Sequence, residues 1–252
     1  MIKSASFFDR YPDEYDLLTD EKSRIPRHQS EVDTLISRFS PGRVLDAGCG
    51  TGLTTSLFAC RGIETVGIDR STPMLEVARR KYQSKKWPLL FKKSAFESLP
   101  ASFKGSYDLI ACLGNSLSGV ESATTLRATA RSFARSLRPG GVLVLQLLNV
   151  ASLTDGELYP VRATRAGKLF YLRYLIRSGK SVALHVVRID SSTKSPSFQT
   201  FIHEHKPLDQ AILRKALTVA GFRDIKLYGD LLLTKKFTRT NRDLVLVAKR
   251  PK

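Results

Sequence analysis

Between residues 41 and 150 the chain alternates short apolar runs with segments of helical period. Residues 44–47 form a buried-strand run that breaks into a glycine cluster, and Leu53, Leu57 and Phe58 then line one side of a helix. Residues 65–68 make a second strand that closes on Asp69, and Pro73 stands where a helix carrying Leu75, Val77 and Ala78 begins. Residues 88–91 and 107–113 read as strands. Leu126, Ala130, Phe133 and Leu137 recur at helical spacing, and Arg138-Pro139-Gly140-Gly141 stops that helix before a strand over 142–148. Strands that alternate with helices join through right-handed crossovers. The pattern therefore predicts an α/β doubly wound core, a parallel sheet covered on both faces.

The flanks read differently. Up to about Ser40, aromatic and acidic residues precede Leu35, Ile36 and Phe39, a helical set after Pro26 that Pro41 and Gly42 terminate. After Asn149, the segments 157–164, 168–176, 181–189 and 197–205 are rich in Tyr, Phe, Val, Ile and Leu. Arg165-Ala166-Gly167, Ser178-Gly179 and Ser191-Ser192 separate them with no helical period between, which predicts an antiparallel meander inserted in the core. Pro207 and Leu208 open a helix through Leu217 to Ala220, capped by Gly221, and strands near 222–227 and 243–248 follow. The expected organisation is an N-terminal segment or lid over 1–40, a core from 41–150 and 207–252, and an antiparallel β insert over 151–206 that roofs the active-site edge.

Composition narrows the class. The 252 residues suit one large α/β domain, and 42% hydrophobic with 25% charged residues excludes a disordered chain. Cys49, Cys60 and Cys112 cannot all pair and form no CxxC pattern, so neither a disulfide framework nor zinc is expected. The opening MIKSASFFDRYPDEYD holds no apolar block that could serve as a signal peptide. The longest apolar stretch, 141–150, contains Gln146 and Asn149 and falls far short of the roughly 20 residues that span a bilayer, so the reading is a soluble, cytoplasmic protein with no membrane partner. The net charge of +18 is uneven: residues 151–252 hold 20 basic and 8 acidic side chains, a surplus of 12. Such a field attracts anionic partners, nucleic acid among them, whereas scattered Lys and Arg make a solvated face.

The most informative stretch is Val44-Leu45-Asp46-Ala47-Gly48-Cys49-Gly50-Thr51-Gly52. Glycine at every second position lets a ligand approach backbone N–H groups between a strand and a helix. The spacing is G-x-G-x-G, not the G-x-G-x-x-G of dinucleotide enzymes, and Asp69 ends the next strand 21 residues after Gly48, where a carboxylate can accept from two ribose hydroxyls. The bland alternative is a tight turn followed by an Asp that caps a helix.

Through VLDAGCGTG, GIDRSTPML and FARSLRPGGVLVLQLLN the chain resembles the class I S-adenosylmethionine-dependent methyltransferases. Cys112-Leu113-Gly114-Asn115-Ser116-Leu117, Asn149 and Leu227-Tyr228-Gly229-Asp230 resemble the glycine/sarcosine N-methyltransferase group and its small-molecule relatives. The resemblance implies a mostly parallel seven-stranded Rossmann-like sheet. It implies that Gly48, Cys49, Gly50 and Gly52 wrap the methionine part of S-adenosylmethionine with Asp46 toward its amino group, that Asp69 takes the ribose, and that Arg70 and Met74 lie beside the adenine. Ala95 stands where relatives often place an acid, leaving adenine to backbone groups and to Phe96, and Leu113 lies at the end of the fourth strand.

Methyl transfer from a sulfonium is an in-line displacement that requires no metal. The expected acceptor is a small molecule, an amine ahead of a hydroxyl, met by Asn115, Asn149 and Tyr228 as catalytic residues and by Tyr11, Tyr15 and Asp230 as substrate contacts. Arg162, Arg173 and Arg188 are candidate anchors for a carboxylate or phosphate, with solvent exposure as their alternative; His203 and His205 read as a solvated strand face rather than a metal site. An RNA or other polyanion methyltransferase and a non-catalytic cofactor-binding partner subunit are the alternatives. Neither an Asn-Pro-Pro-Tyr loop nor a Pro-Cys pair follows the fourth strand to support base methylation.

Overall fold

The computed structural model describes residues 6–179, 181–205 and 207–252. Helices α1 (Phe7–Arg10), α2 (Tyr15–Thr19) and α3 (Glu21–Phe39) precede strand β1 (Arg43–Ala47). The core then runs α4 (Leu53–Ala59), β2 (Glu64–Asp69), α5 (Thr72–Tyr82), β3 (Leu89–Lys93), β4 (Tyr107–Cys112), α6 (Ala123–Ser136) and β5 (Leu137–Leu148). Four strands follow, β6 (Leu158–Ala166), β7 (Leu169–Ser178), β8 (Ser181–Asp190) and β9 (Ser197–His205), and then α7 (Gln210–Val219), β10 (Arg223–Tyr228) and β11 (Asp243–Lys249).

The core strands form one seven-stranded sheet in the order β10-β11-β5-β4-β1-β2-β3. Neighbours from β5 to β3 are parallel, and β11 runs antiparallel to both β5 and β10. Central strands are apolar along their length because both faces are covered. On one side Phe133 of α6 and Leu213 and Leu217 of α7 pack on Leu45, Ile110 and Leu143; on the other Val32 and Leu35 of α3 and Phe58 of α4 pack on Val44, Leu109 and Val144. From β1 the sheet continues through β2 on one side and β4 on the other, so a crevice opens at the carboxyl ends of β1 and β4, where doubly wound folds collect ligands. The second sheet is the antiparallel meander β6-β7-β8-β9.

Three local expectations change. Helix α3 begins before Pro26 and runs through it. Pro26 is only its sixth residue, so a single i to i−4 bond is lost. Arg138 to Gly141 do not form a turn: α6 ends at Ser136 and the chain continues as β5, with Gly140 (φ +78°) donating its N–H to the Arg250 carbonyl beyond β11 at 3.0 Å. The last helix opens at Gln210, where Asp209 caps it by accepting from the Ile212 N–H at 2.8 Å, rather than at Pro207. No helix among the described residues is long and apolar enough to cross a membrane.

Candidate active site

The turn leaving β1 is built around three glycines with positive φ, +84° at Gly48, +55° at Gly50 and +87° at Gly52. Space as well as dihedral demands glycine at two of them. A Cβ on Gly48 would lie 2.6 Å from the Ser116 side chain, and one on Gly52 would lie 2.8 Å from the Phe91 ring. The N–H groups of Gly48 and Cys49 both donate to the Ile68 carbonyl, at 2.8 and 2.9 Å, which ties the turn to the end of β2.

Asp69, at that end, accepts from the Gly50 N–H at 3.0 Å and from the Ser71 N–H at 2.9 Å, one on each carboxylate oxygen. Asp46 is buried and accepts from the Thr55 hydroxyl at 2.7 Å. Burial, with the negative charge of Asp69 adding to it, pushes the Asp46 carboxyl up to about 7; burial raises Asp69 and the Cys49 thiol as well. Two acids coupled this way gain from a cationic guest, which answers both charges.

Hydrophobic walls close around the turn. Met74 is buried, with its methyl 3.4 Å from where a Cβ on Gly50 would stand, and the Phe96 ring comes within 3.3 Å of the corresponding point on Gly48. Cys49 packs with Leu75, Ala78 and Phe91. Ala95 offers no carboxylate, and Arg70 is exposed. Ser116, whose role sequence reasoning missed, donates to the Leu113 carbonyl at 2.8 Å and approaches the Gly48 carbonyl at 3.4 Å, joining the loop after β4 to the glycine turn. Asn115 (φ +66°) accepts from the Leu148 N–H at 3.0 Å through Oδ1, bolting the ends of β4 and β5 together.

Asn149 and Asp230 spend their side chains on neighbouring backbone. Asn149 is buried, and its amide donates to the carbonyls of Arg239 at 2.9 Å and Asn241 at 2.8 Å while its oxygen accepts from the Ala151 N–H. Its side chain thus holds the loop before β11. Asn149→Ala is expected to cost about 1–2 kcal/mol of stability, the loss that unpaired buried carbonyls bring, while the affinity for ligand at the glycine turn stays unchanged; denaturant melts and calorimetry check both. Asp230 accepts from the Thr234 N–H and hydroxyl, both at 3.2 Å, and so closes its own turn. Tyr228 is half-buried against the cluster of Leu231 and Val245.

The N-terminal segment is a strap with two adhesive sides. Asp9 accepts from Ser71, Asp13 pairs with Arg80, and Asp16 accepts from Thr51 and Lys81, each of the last two at 2.7 Å. On the other side Tyr11 donates to Gln199 of β9 at 2.6 Å, and Phe8 lies between Tyr15 and His203, with ring centroids at 5.8 and 4.7 Å. Tyr11 and Tyr15 therefore face the second sheet. Phe7, Leu18, Tyr171, Val186 and Phe201 make a common core between strap and sheet.

Two of the three candidate arginine anchors are consumed by this strap. Arg188 grips Glu14 with two bonds at 2.7 and 2.8 Å, and Arg162 pairs with Asp20 at 2.5 Å. Arg173 differs: its Nε is buried without a hydrogen-bond partner, and burial lowers its pKa to about 10. His203 and His205 do not sit on a solvated face. Both lie on the inner side of the sheet, His205 bonded to Ser118 of the loop after β4 at 2.8 Å and His203 with an unpartnered, buried Nε2. Burial lowers both pKa values, that of His205 to about 4.

Residues 44–141 match a family described as a methyltransferase domain. The chain is similar to the glycine/sarcosine N-methyltransferase of Halorhodospira halochloris, 26% identical over 239 residues, which cover 92% of this chain and 84% of that one. It is 29% identical over 227 residues to the glycine/sarcosine/dimethylglycine N-methyltransferase of Actinopolyspora halophila, covering 87% of this chain but 38% of that relative. Among solved structures, an S-adenosylmethionine-dependent methyltransferase from Clostridium acetobutylicum shares the fold with a TM-score of 0.78, 17% identity and coverage of 97% and 99% of the two chains. An S-adenosylmethionine-bound amino pentose methyltransferase from Micromonospora echinaspora does so with a TM-score of 0.70, 19% identity and coverage of 98% and 99%.

Proposed function

The chain is a class I S-adenosylmethionine-dependent methyltransferase, and on that premise we propose that it methylates the amine of a small molecule that also carries an anionic group. The observation that carries this reading is Arg173, a half-buried side chain on the inner side of the four-stranded sheet whose Nε is buried and unpartnered. A buried N–H without an acceptor is costly, and a carboxylate or phosphate on the methyl acceptor would supply one. The amine is supported by relatives that are N-methyltransferases by name, the glycine/sarcosine enzyme and its dimethylglycine homologue.

The site fits the cofactor. Gly48, Gly50 and Gly52 leave room for close backbone approach, Asp46 suits an ammonium, and Asp69 keeps lone pairs for ribose hydroxyls beyond the two amides it already accepts. Bound there, S-adenosylmethionine supplies a methyl group activated by its sulfonium. The protein's part is orientation, which alone can lower the barrier by about 7–11 kcal/mol. The acceptor amine must be neutral to attack, and His203, kept uncharged by burial and unpartnered at Nε2, is suited to take its proton. The segment 151–206 then acts as a roof, and the strap over 6–20 as the seal between roof and turn.

A turnover screen with labelled cofactor tests the reading, offering amines with and without a carboxylate or phosphate and, separately, total RNA. Anionic amines should be methylated, and Arg173→Leu should raise their KM about 30-fold or more without changing that of neutral amines, as expected when a charge-assisted contact is lost. Turnover of RNA alone would replace the small-molecule acceptor by a polyanion.

Asp46 supplies a pH signature. Its carboxyl, raised to about 7 in the ligand-free fold, must lose its proton to face an ammonium, so S-adenosylmethionine affinity should rise by up to about tenfold per pH unit below 7 and level off above. Because the folded value lies above the unfolded one, the ligand-free protein binds this proton more tightly than the unfolded chain, and its stability falls as pH rises from about 4 to about 7. Calorimetry across pH should show the affinity trend flattened in Asp46→Asn.

A further inference from the structure

The glycine turn lies at the carboxyl ends of the parallel strands, and a second recess opens at their amino ends, about 20 Å away, the length of α6 at 1.5 Å per residue. Here the last two turns of α6, the end of α7 and the residues after β11 enclose a cleft of about 370 Å³, within the range of small-molecule sites. Arg131, Arg135 and Arg250 line it over a floor that includes Ala220, Phe222 and Pro251, and no acidic side chain takes part.

The fold leaves these three charges unanswered. Arg131 and Arg135 are exposed, and neither guanidinium meets a carboxylate or a hydrogen-bond acceptor among the described residues. Arg250 is held by main chain: its guanidinium donates to the Leu137 carbonyl, its N–H donates to the Gly141 carbonyl at 2.8 Å, and its carbonyl accepts from Gly140 at 3.0 Å. Such bonds fix the direction of the group without cancelling its charge. Helix polarity accounts for Arg135 alone, which lies in the last turn of α6. Arg131 and Arg127 stand one and two turns before it, stacked at i, i+4 spacing on a helix with no acidic residue, so each stacked pair opposes the helix. The last carbonyls of α7 are spent as well, Leu217 accepting from Phe222 and Thr218 from Gly221, both at 3.0 Å.

We propose that this cleft binds a phosphate ester carrying two or more negative charges, at a site separate from methyl transfer. Three planar forks around one recess grip several phosphoryl oxygens at once, more than a single carboxylate offers. A small phosphorylated molecule and the backbone of a nucleic acid present the same chemistry.

Calorimetric titration of the full chain with inorganic pyrophosphate at physiological salt tests the proposal, on the wild type and on Arg173→Leu, which lacks the anion contact under the four-stranded sheet. One pyrophosphate per chain should bind to Arg173→Leu. Arg131→Glu and Arg135→Glu, added singly, should each weaken it at least about tenfold, as loss of a hydrogen bond to a charged group does, while circular dichroism and S-adenosylmethionine affinity hold. Absence of binding, binding lost with Arg173 alone, or an affinity that both glutamate variants leave unchanged would overturn the site. A single-stranded RNA oligonucleotide separates the sources: displacement of pyrophosphate, with affinity falling at a log-log salt slope of about −0.7 per phosphate contacted, identifies a polymer, and no displacement identifies a small phosphate ester. Displacement by polyglutamate at equal charge would overturn the phosphate assignment.

Discussion

Glu14→Ala is expected to destabilise the fold by about 3 kcal/mol, the lower end of the cost when a buried ion pair loses one partner. The Arg188 guanidinium donates two bonds to the Glu14 carboxylate, and the Tyr171 hydroxyl donates a third at 2.7 Å. Arg188 also lies over the Tyr11 ring at 4.6 Å and is almost wholly buried, so without Glu14 only Asp190, at 3.3 Å, remains to answer its charge. Glu14 keeps some contact with water, which places the cost at the low end of the range. Denaturant melts of Glu14→Ala, Arg188→Leu and the double variant form a cycle in which the double should be more stable than Glu14→Ala, because no unpaired cation is left inside. A loss below about 1 kcal/mol for Glu14→Ala would mean that the pair behaves as a surface bridge.

Asp69→Ala is expected to weaken S-adenosylmethionine binding by about 1.5–3 kcal/mol, roughly 13- to 150-fold, the range for hydrogen bonds to a charged group. The carboxylate spends one lone pair per oxygen on the Gly50 and Ser71 amides, and these bonds aim the remaining lone pairs. On the proposed reading, alanine removes the acceptors offered to the ribose and frees the Gly50 amide together. Calorimetry on the folded variant checks the figure, and an unchanged affinity would remove Asp69 from the site.

The parallel core is legible because buried strands read as uninterrupted apolar runs, and the meander because Gly167 and Gly179 punctuate it; strand limits fall within two residues of those expected, save at the start of β5. The glycine turn and Asp69 are legible for another reason: their partners are set by spacing along one strand-turn-strand unit. Asn149 is misread from sequence because its fate depends on the loop at 239–241, about 90 residues on, whose carbonyls need donors. Asp9, Asp13 and Asp16 carry a local signal. They recur at helical spacing opposite Phe8, Tyr11 and Tyr15, the mark of a segment with one polar and one aromatic side. Their partners could not be read, since nothing local links Glu14 to an arginine 174 residues away.

The strap carries a further consequence for the order of assembly. Helices α1 and α2, of four and five residues, are too short to persist alone in water. Their anchors lie between 35 and 188 residues along the chain and in two different sheet layers, Thr51 and Lys81 in one, Tyr171, Arg188 and Gln199 in the other. The strap is thus expected to find its place last, after both layers have formed, and its amides should be the first to exchange with deuterium. Folding in that order would finish with the strap settling over the glycine turn.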